Sequence, residues 1–177
     1  RDEGIGPRAV ELLATGYEFP DNVEVIDAGT MDYMILDTIR GFDRLIVVDA
    51  VKGTDQPAGT VMLLTPEDLA ENNQVMHSMH DIRITDVLSA AALVDRAPKT
   101  SVVGMQIESI AEWVLELSEP CESALPVAVA AVIDELRAEG VEPTPRADKD
   151  VHARIIEALR TYEPMPSEAL RPSESAE

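Results

Sequence analysis

The run Leu45-Ile46-Val47-Val48 constrains this chain more than any other stretch, because three of its four residues are β-branched and none is polar. Such a run predicts a strand buried on both faces, the state of a central strand in a sheet covered by helices. The strand continues through Asp49, Ala50 and Val51. In open α/β sheets, ligands and chemistry collect outside the carboxyl ends of the strands, which makes Asp49 a candidate functional group. An Asp at such a place also serves a loop by accepting backbone N–H groups.

The segments around this strand alternate in type. Gly4, Gly6 and Pro7 open a helix predicted to run to about Thr15, with Gly16 ending it. A strand is expected at Val23 to Ile26, then the loop Asp27 to Thr30 and a short helix near Tyr33 to Arg40. A helix at the very start that leads into a strand lacks the strand that should precede it in a βαβ unit. An N-terminal strand and part of its loop are therefore expected to be missing from the chain.

After Asp49 comes a polar loop, Lys52 to Gly59, and then a strand over Thr60 to Leu64, whose short connection allows an antiparallel edge position. Thr65 and Pro66 form a helix start. Asn72 to Arg83, with His77 and His80, has little periodicity and reads as a long functional or mobile loop. Thr85 is placed as the cap of a helix through Leu93, Thr100 to Ile107 as the last strand with Glu108 bonding loop backbone beyond it, and Leu125 to Glu139 as a long helix closed by Gly140. The class is α/β. Residues 1–142 are read as the α/β domain, 143–162 as an extension with an amphipathic helix that carries His152 on its surface, and 163–177 as a disordered acidic tail.

Composition narrows the partners. At 177 residues and 45% hydrophobic, the chain can bury one sizeable core, which aromatics at 3% leave aliphatic. A net charge of −20, from 34 acids against 14 bases, argues against nucleic acid or an anionic membrane and permits a basic protein or a cation. No apolar run approaches the roughly 18 residues of a membrane span, and no signal peptide is visible. The single cysteine, Cys121, excludes an internal disulfide framework and fits a reducing cytoplasm. With helix formers around it and no His nearby, it reads as a structural thiol.

Glu3, Asp49 and one of the loop histidines are all predicted on loops at one edge of the sheet. Two carboxylates and an imidazole can ligate Zn²⁺, Ni²⁺ or Fe²⁺, or can serve as acid and base. Spacing leaves both open. There is no Ser–His or Cys–His pair at recognisable spacing. A flavodoxin-like cofactor binder is disfavoured, since no phosphate-cradling motif lies between a strand and a helix and few aromatics exist to stack a flavin.

Several pieces, in order and spacing, resemble the hydrogenase maturation proteases. They are Asp2-Glu3-Gly4-Ile5-Gly6, the stretch Asn22 to Thr30, the stretch Asp43 to Val51, Pro57 to Val61, His80 ahead of Asp86-Val87-Leu88, Val103 to Gln106, Glu108-Ser109 and Glu116-Leu117-Ser118. The resemblance covers Asp2 to about Glu142. It implies a three-layer sandwich, a mostly parallel twisted sheet of about five strands with helices on both faces. It also implies an endopeptidase that removes the C-terminal extension of a nickel-iron hydrogenase large-subunit precursor after nickel insertion. Metal contacts fall by this resemblance on Glu3, Asp49 and His80, leaving His77 a loop residue. The nickel is carried by the precursor, no organic cofactor is implied, and Asp49 is the first choice to activate a water. A non-catalytic metal or partner-binding module of the same fold is the alternative. Departures from the family are the absence of its Gly-Asn loop ahead of the acidic pair, Ala28 and Asp32 at positions where glycine is usual, and Ile107 in place of a proline.

Overall fold

Ile5, Ala9 and Leu13 recur at helical spacing and are buried along one side of α1 (Ile5–Gly16), which follows directly on a 3-10 turn, Asp2–Gly4. That side lies so close to the sheet that a Cβ at Gly6 would stand 3.0 Å from the carbonyl oxygen of Val48. A short strand, β1 (Tyr17–Glu18), comes next, followed by α2 (Ile35–Ile39) and the long strand β2 (Arg44–Val51). The chain continues through β3 (Val61–Leu64), α3 (Pro66–Glu71), α4 (Ile84–Val94), β4 (Lys99–Gln106), α5 (Glu119–Ala138) and β5 (Thr144–Pro145). The computed structural model describes residues 1–29, 35–71, 84–94, 96–108, 114–146, 153–155, 157, 158 and 160.

Among these residues the main sheet has the order β2-β4-β3. β2 runs parallel to β4, from Arg44 opposite Lys99 to Val51 opposite Gln106, and β3 lies antiparallel on the other side of β4 at the edge. Alternation along β4 divides two cores. Val103 and Met105 pack with α1 and α5, whereas Val102 packs with Val51, Met62, Leu64 and Leu69 of α3. Ile39 of α2 and Val87, Leu88 and Ala91 of α4 form a third cluster, on which Leu45 leans. Helices thus cover both faces of the sheet, an α/β layered sandwich.

Several local expectations need revision. β2 is the end strand of the sheet among the described residues, and seven of its eight residues are half-buried because its outer side opens on a cavity. The strand buried over most of its length is β4, from Ser101 to Gln106. Residues 23–28, expected to include a strand, carry no regular structure and pair with no ladder among the described residues. α5 begins at Glu119, not Leu125: Ser118 stands at its N-cap, Pro120 occupies its first turn, and the buried Pro126 is carried inside the helix. Thr85 sits in the first turn of α4, which opens at Ile84. By contrast Thr65 and Asp68 form the expected start of α3, with Asp68 N–H donating to Thr65 Oγ1 at 3.2 Å and Thr65 N–H to Asp68 Oδ2 at 2.8 Å.

Beyond α5, β5 pairs antiparallel with β1, and the helical residues Ile155 and Ala158 are buried in the α1–α5 core. The acidic tail, 163–177, lies outside the described residues, as do His77, His80 and His152. No helix among the described residues is long and apolar enough to cross a membrane.

Candidate active site

The open side of β2 borders a cavity of about 830 Å³. Its walls are largely aliphatic, Val25, Ile46 and Val48 among them, while Glu3, Asp49 and Lys52 also line it. Glu3 reaches it from the 3-10 turn, which packs against β2. Asp49 reaches it from the second half of β2 itself, where the parallel pairing with β4 holds the backbone. Its Oδ1 accepts the N–H of Ala50 at 2.7 Å, which orients the carboxylate.

Glu3 differs in one respect. Its Oε1 is buried and receives no hydrogen bond among the described residues. A buried carboxylate oxygen without a donor is costly, so such an atom calls for a cation or a donor that arrives with a ligand. Two of the three sequence-predicted metal contacts therefore share one cavity. The third, His80, lies outside the described residues, within which no group of three His, Cys, Asp or Glu side chains could hold a metal ion.

The rim is braced by residues that sequence reasoning did not single out. Asp2 is fully buried. Its Oδ1 accepts the N–H of Ser118 at 2.7 Å, and its Oδ2 accepts the Ser118 hydroxyl at 3.0 Å and the N–H of Glu108 at 3.2 Å. One carboxylate thus ties the turn that carries Glu3 to the end of β4 and the start of α5. Glu108, expected to bond loop backbone, takes part here through its own backbone N–H, which donates to Asp2. In the sequence Asp2 stood out only as part of the stretch Asp2-Glu3-Gly4-Ile5-Gly6, with no role of its own; its partners are more than a hundred residues away.

The loop after β2 is held in a similar way. Gln106, at the end of β4, accepts the N–H of Thr54 at 3.2 Å and also its hydroxyl. Gly59 donates to the carbonyl of Gln106 at 2.8 Å. At Gly59 φ is +84°, and a Cβ there would stand 2.7 Å from the carbonyl oxygen of Pro120, so only glycine fits without displacement. Cys121, beneath this rim, is buried, and burial pushes its thiol up from the ordinary value more than the Ser118 hydroxyl lowers it. That is the condition of an inert structural thiol.

Comparison with known proteins identifies the family. A sequence model of the family described as Hydrogenase maturation protease matches residues 7–135. The Hydrogenase 2 maturation protease of Escherichia coli K12 is 36% identical over 146 residues, which span 82% of this chain and 88% of that protein. The hydrogenase expression/formation protein HupD of Rhizobium leguminosarum is 32% identical over 149 residues, 83% of this chain and 73% of that protein. Among solved structures, the hydrogenase maturating endopeptidase HybD from E. coli superposes with a TM-score of 0.75 at 36% identity, covering 84% of this chain and 91% of that one. A sequence match along most of the chain, coinciding with a shared fold, means that the chain belongs to the hydrogenase maturation protease family and is an endopeptidase of that kind.

Proposed function

We propose that this endopeptidase removes the C-terminal extension of the large-subunit precursor of a nickel-iron hydrogenase once nickel has been inserted, and that it recognises the nickel the precursor carries. Glu3, Asp49 and His80 are the side chains assigned to grip that ion. The observation that supports this reading most is the buried Oε1 of Glu3, which has no donor among the described residues and lies on the same cavity as Asp49. A divalent cation delivered by the substrate would relieve both the desolvation of that oxygen and the repulsion between two carboxylates.

Without nickel the precursor offers these side chains no cation, so cleavage waits for metal insertion. With nickel in place, the ion acts as a template that holds the scissile bond against the cavity and polarises its carbonyl. Water then attacks the carbonyl carbon while Asp49 takes its proton. The C–N bond breaks, and the leaving nitrogen receives that proton. The raised, buried thiol of Cys121 agrees with attack by water in preference to a covalent thioester.

The test mixes the protein with precursor that has or lacks nickel and follows the precursor's length on a gel. Only the nickel-loaded precursor should shorten, and Asp49→Asn and His80→Gln should leave it intact. Equal shortening of both forms would overturn recognition through nickel, and binding without shortening would overturn hydrolysis of this precursor.

A further inference from the structure

We infer that Asp2 is the positioning residue that aims Glu3 at the cavity, an inference that rests on the proposed role of Glu3. Glu3 Oε1 receives no hydrogen bond among the described residues, so no donor there aims it, and the backbone below it sets where the side chain starts. That backbone is a three-residue 3-10 turn, Asp2–Gly4, at the head of α1. Consecutive Cα atoms stand about 3.8 Å apart, so whatever fixes Asp2 also fixes the origin of the Glu3 side chain.

What fixes Asp2 is its own carboxylate. Both oxygens are used, by the Ser118 N–H, the Ser118 hydroxyl and the Glu108 N–H, at 2.7 to 3.2 Å. The charge is fully buried and therefore tolerable only with such partners. It also stands at the N-terminal end of α5, where the helix dipole favours an anion. Leu117 closes the other side of the turn, since a Cβ on Gly4 would lie 3.7 Å from its Cδ2. The turn is thus clamped to the ends of β4 and α5, and through them to the sheet that carries Asp49.

An amide cannot substitute for this carboxylate. One backbone N–H faces each oxygen, so whichever way an Asn is turned, its –NH₂ meets a donor. Asp2→Asn should therefore shift the turn and misaim Glu3, and a displacement on the order of 1 Å near reacting groups costs about a hundredfold in rate.

A double-mutant cycle separates aiming from general structural support. kcat/KM on nickel-loaded precursor is measured for Asp2→Asn, Glu3→Gln and the double variant, by mass spectrometry over long incubations and below each variant's melting midpoint. Ser118→Ala, which removes one donor and keeps the backbone N–H, serves as the milder version should Asp2→Asn not fold. Asp2→Asn is expected to lose about a hundredfold alone and to add no further loss in the Glu3→Gln background; Ser118→Ala should show a smaller loss that vanishes in the same background. The inference falls if Asp2→Asn and Ser118→Ala cleave like the unaltered protein while Glu3→Gln does not, or if the losses multiply. If Glu3→Gln itself cleaves normally, the proposed role of Glu3 falls as well.

Discussion

Cys121 lies in the first turn of α5 and Gly59 packs against Pro120 beside it, and each tests a different consequence of close packing. Because burial raises the Cys121 thiol, the folded protein at pH about 8 holds it protonated and out of reach. Iodoacetamide should label it at a small fraction of the rate seen in denaturant, and Cys121→Ser should retain endopeptidase activity. At Gly59 a side chain would bring both a left-handed backbone and a collision with Pro120. Gly59→Ala is expected to cost about 1–3 kcal/mol, read as a lowered urea midpoint with an unchanged slope. Asp49 was legible as a candidate because an aliphatic run marked its strand and placed it near the strand's end. Asp2 was not, since nothing local reveals that a carboxylate is met by Ser118 from the far side of the chain.

Among the elements, the far end of β2 shows how charge secures the sheet to its covering helix. Arg44 donates to the carbonyl of Lys99 at 2.9 Å and to the Ser101 hydroxyl at 2.9 Å, pairs with Glu135, and stands 3.1 Å from Glu139. Lys99 also reaches Glu139 at 3.0 Å, and its hydrogen bond holds the Glu139 carboxyl below the ordinary value. Glu142 is lowered likewise, by its hydrogen bond to Arg137. Both groups bind protons less readily folded than unfolded, so the stability they contribute is present above their ordinary value of 4.5 and is lost as pH falls below it. A melting series from pH about 5 down to about 3 should fall less steeply for Glu139→Gln than for the unaltered chain. Helix and strand types were readable from periodicity, but boundaries were set by distant contacts. α5 extends back to Glu119 because the N-cap residue, Ser118, is held by Asp2, and residues 23–28 make no strand because a strand is defined by a neighbour that their own composition cannot supply.

At the scale of the molecule, the outline read from the sequence was right in class and in the antiparallel placement of β3, and mistaken about which strand is most enclosed. The aliphatic run of β2 predicted burial on both faces, yet its outer side meets the cavity. That is also the side on which Glu3 and Asp49 line one cavity, which no count along the chain could have measured. The charge of −20 is a global quantity, and it works against compactness through self-repulsion. Raising monovalent salt from about 0.02 M to about 0.5 M shortens the Debye length several-fold. The melting midpoint should therefore rise over that range, and a fall would show that the ion pairs of Arg44 and Arg137 outweigh the repulsion.

β2 ends the sheet among the described residues, and an end strand is a place where a second copy can add its own strand by main-chain pairing. What discourages such stacking is that every copy arrives with the same large negative sign. As pH approaches the isoelectric point near 4.3, that mutual avoidance disappears. Turbidity with a gain in β-type circular dichroism should then appear, and it should clear when the solution is returned to neutrality before the strands have settled into a lasting array.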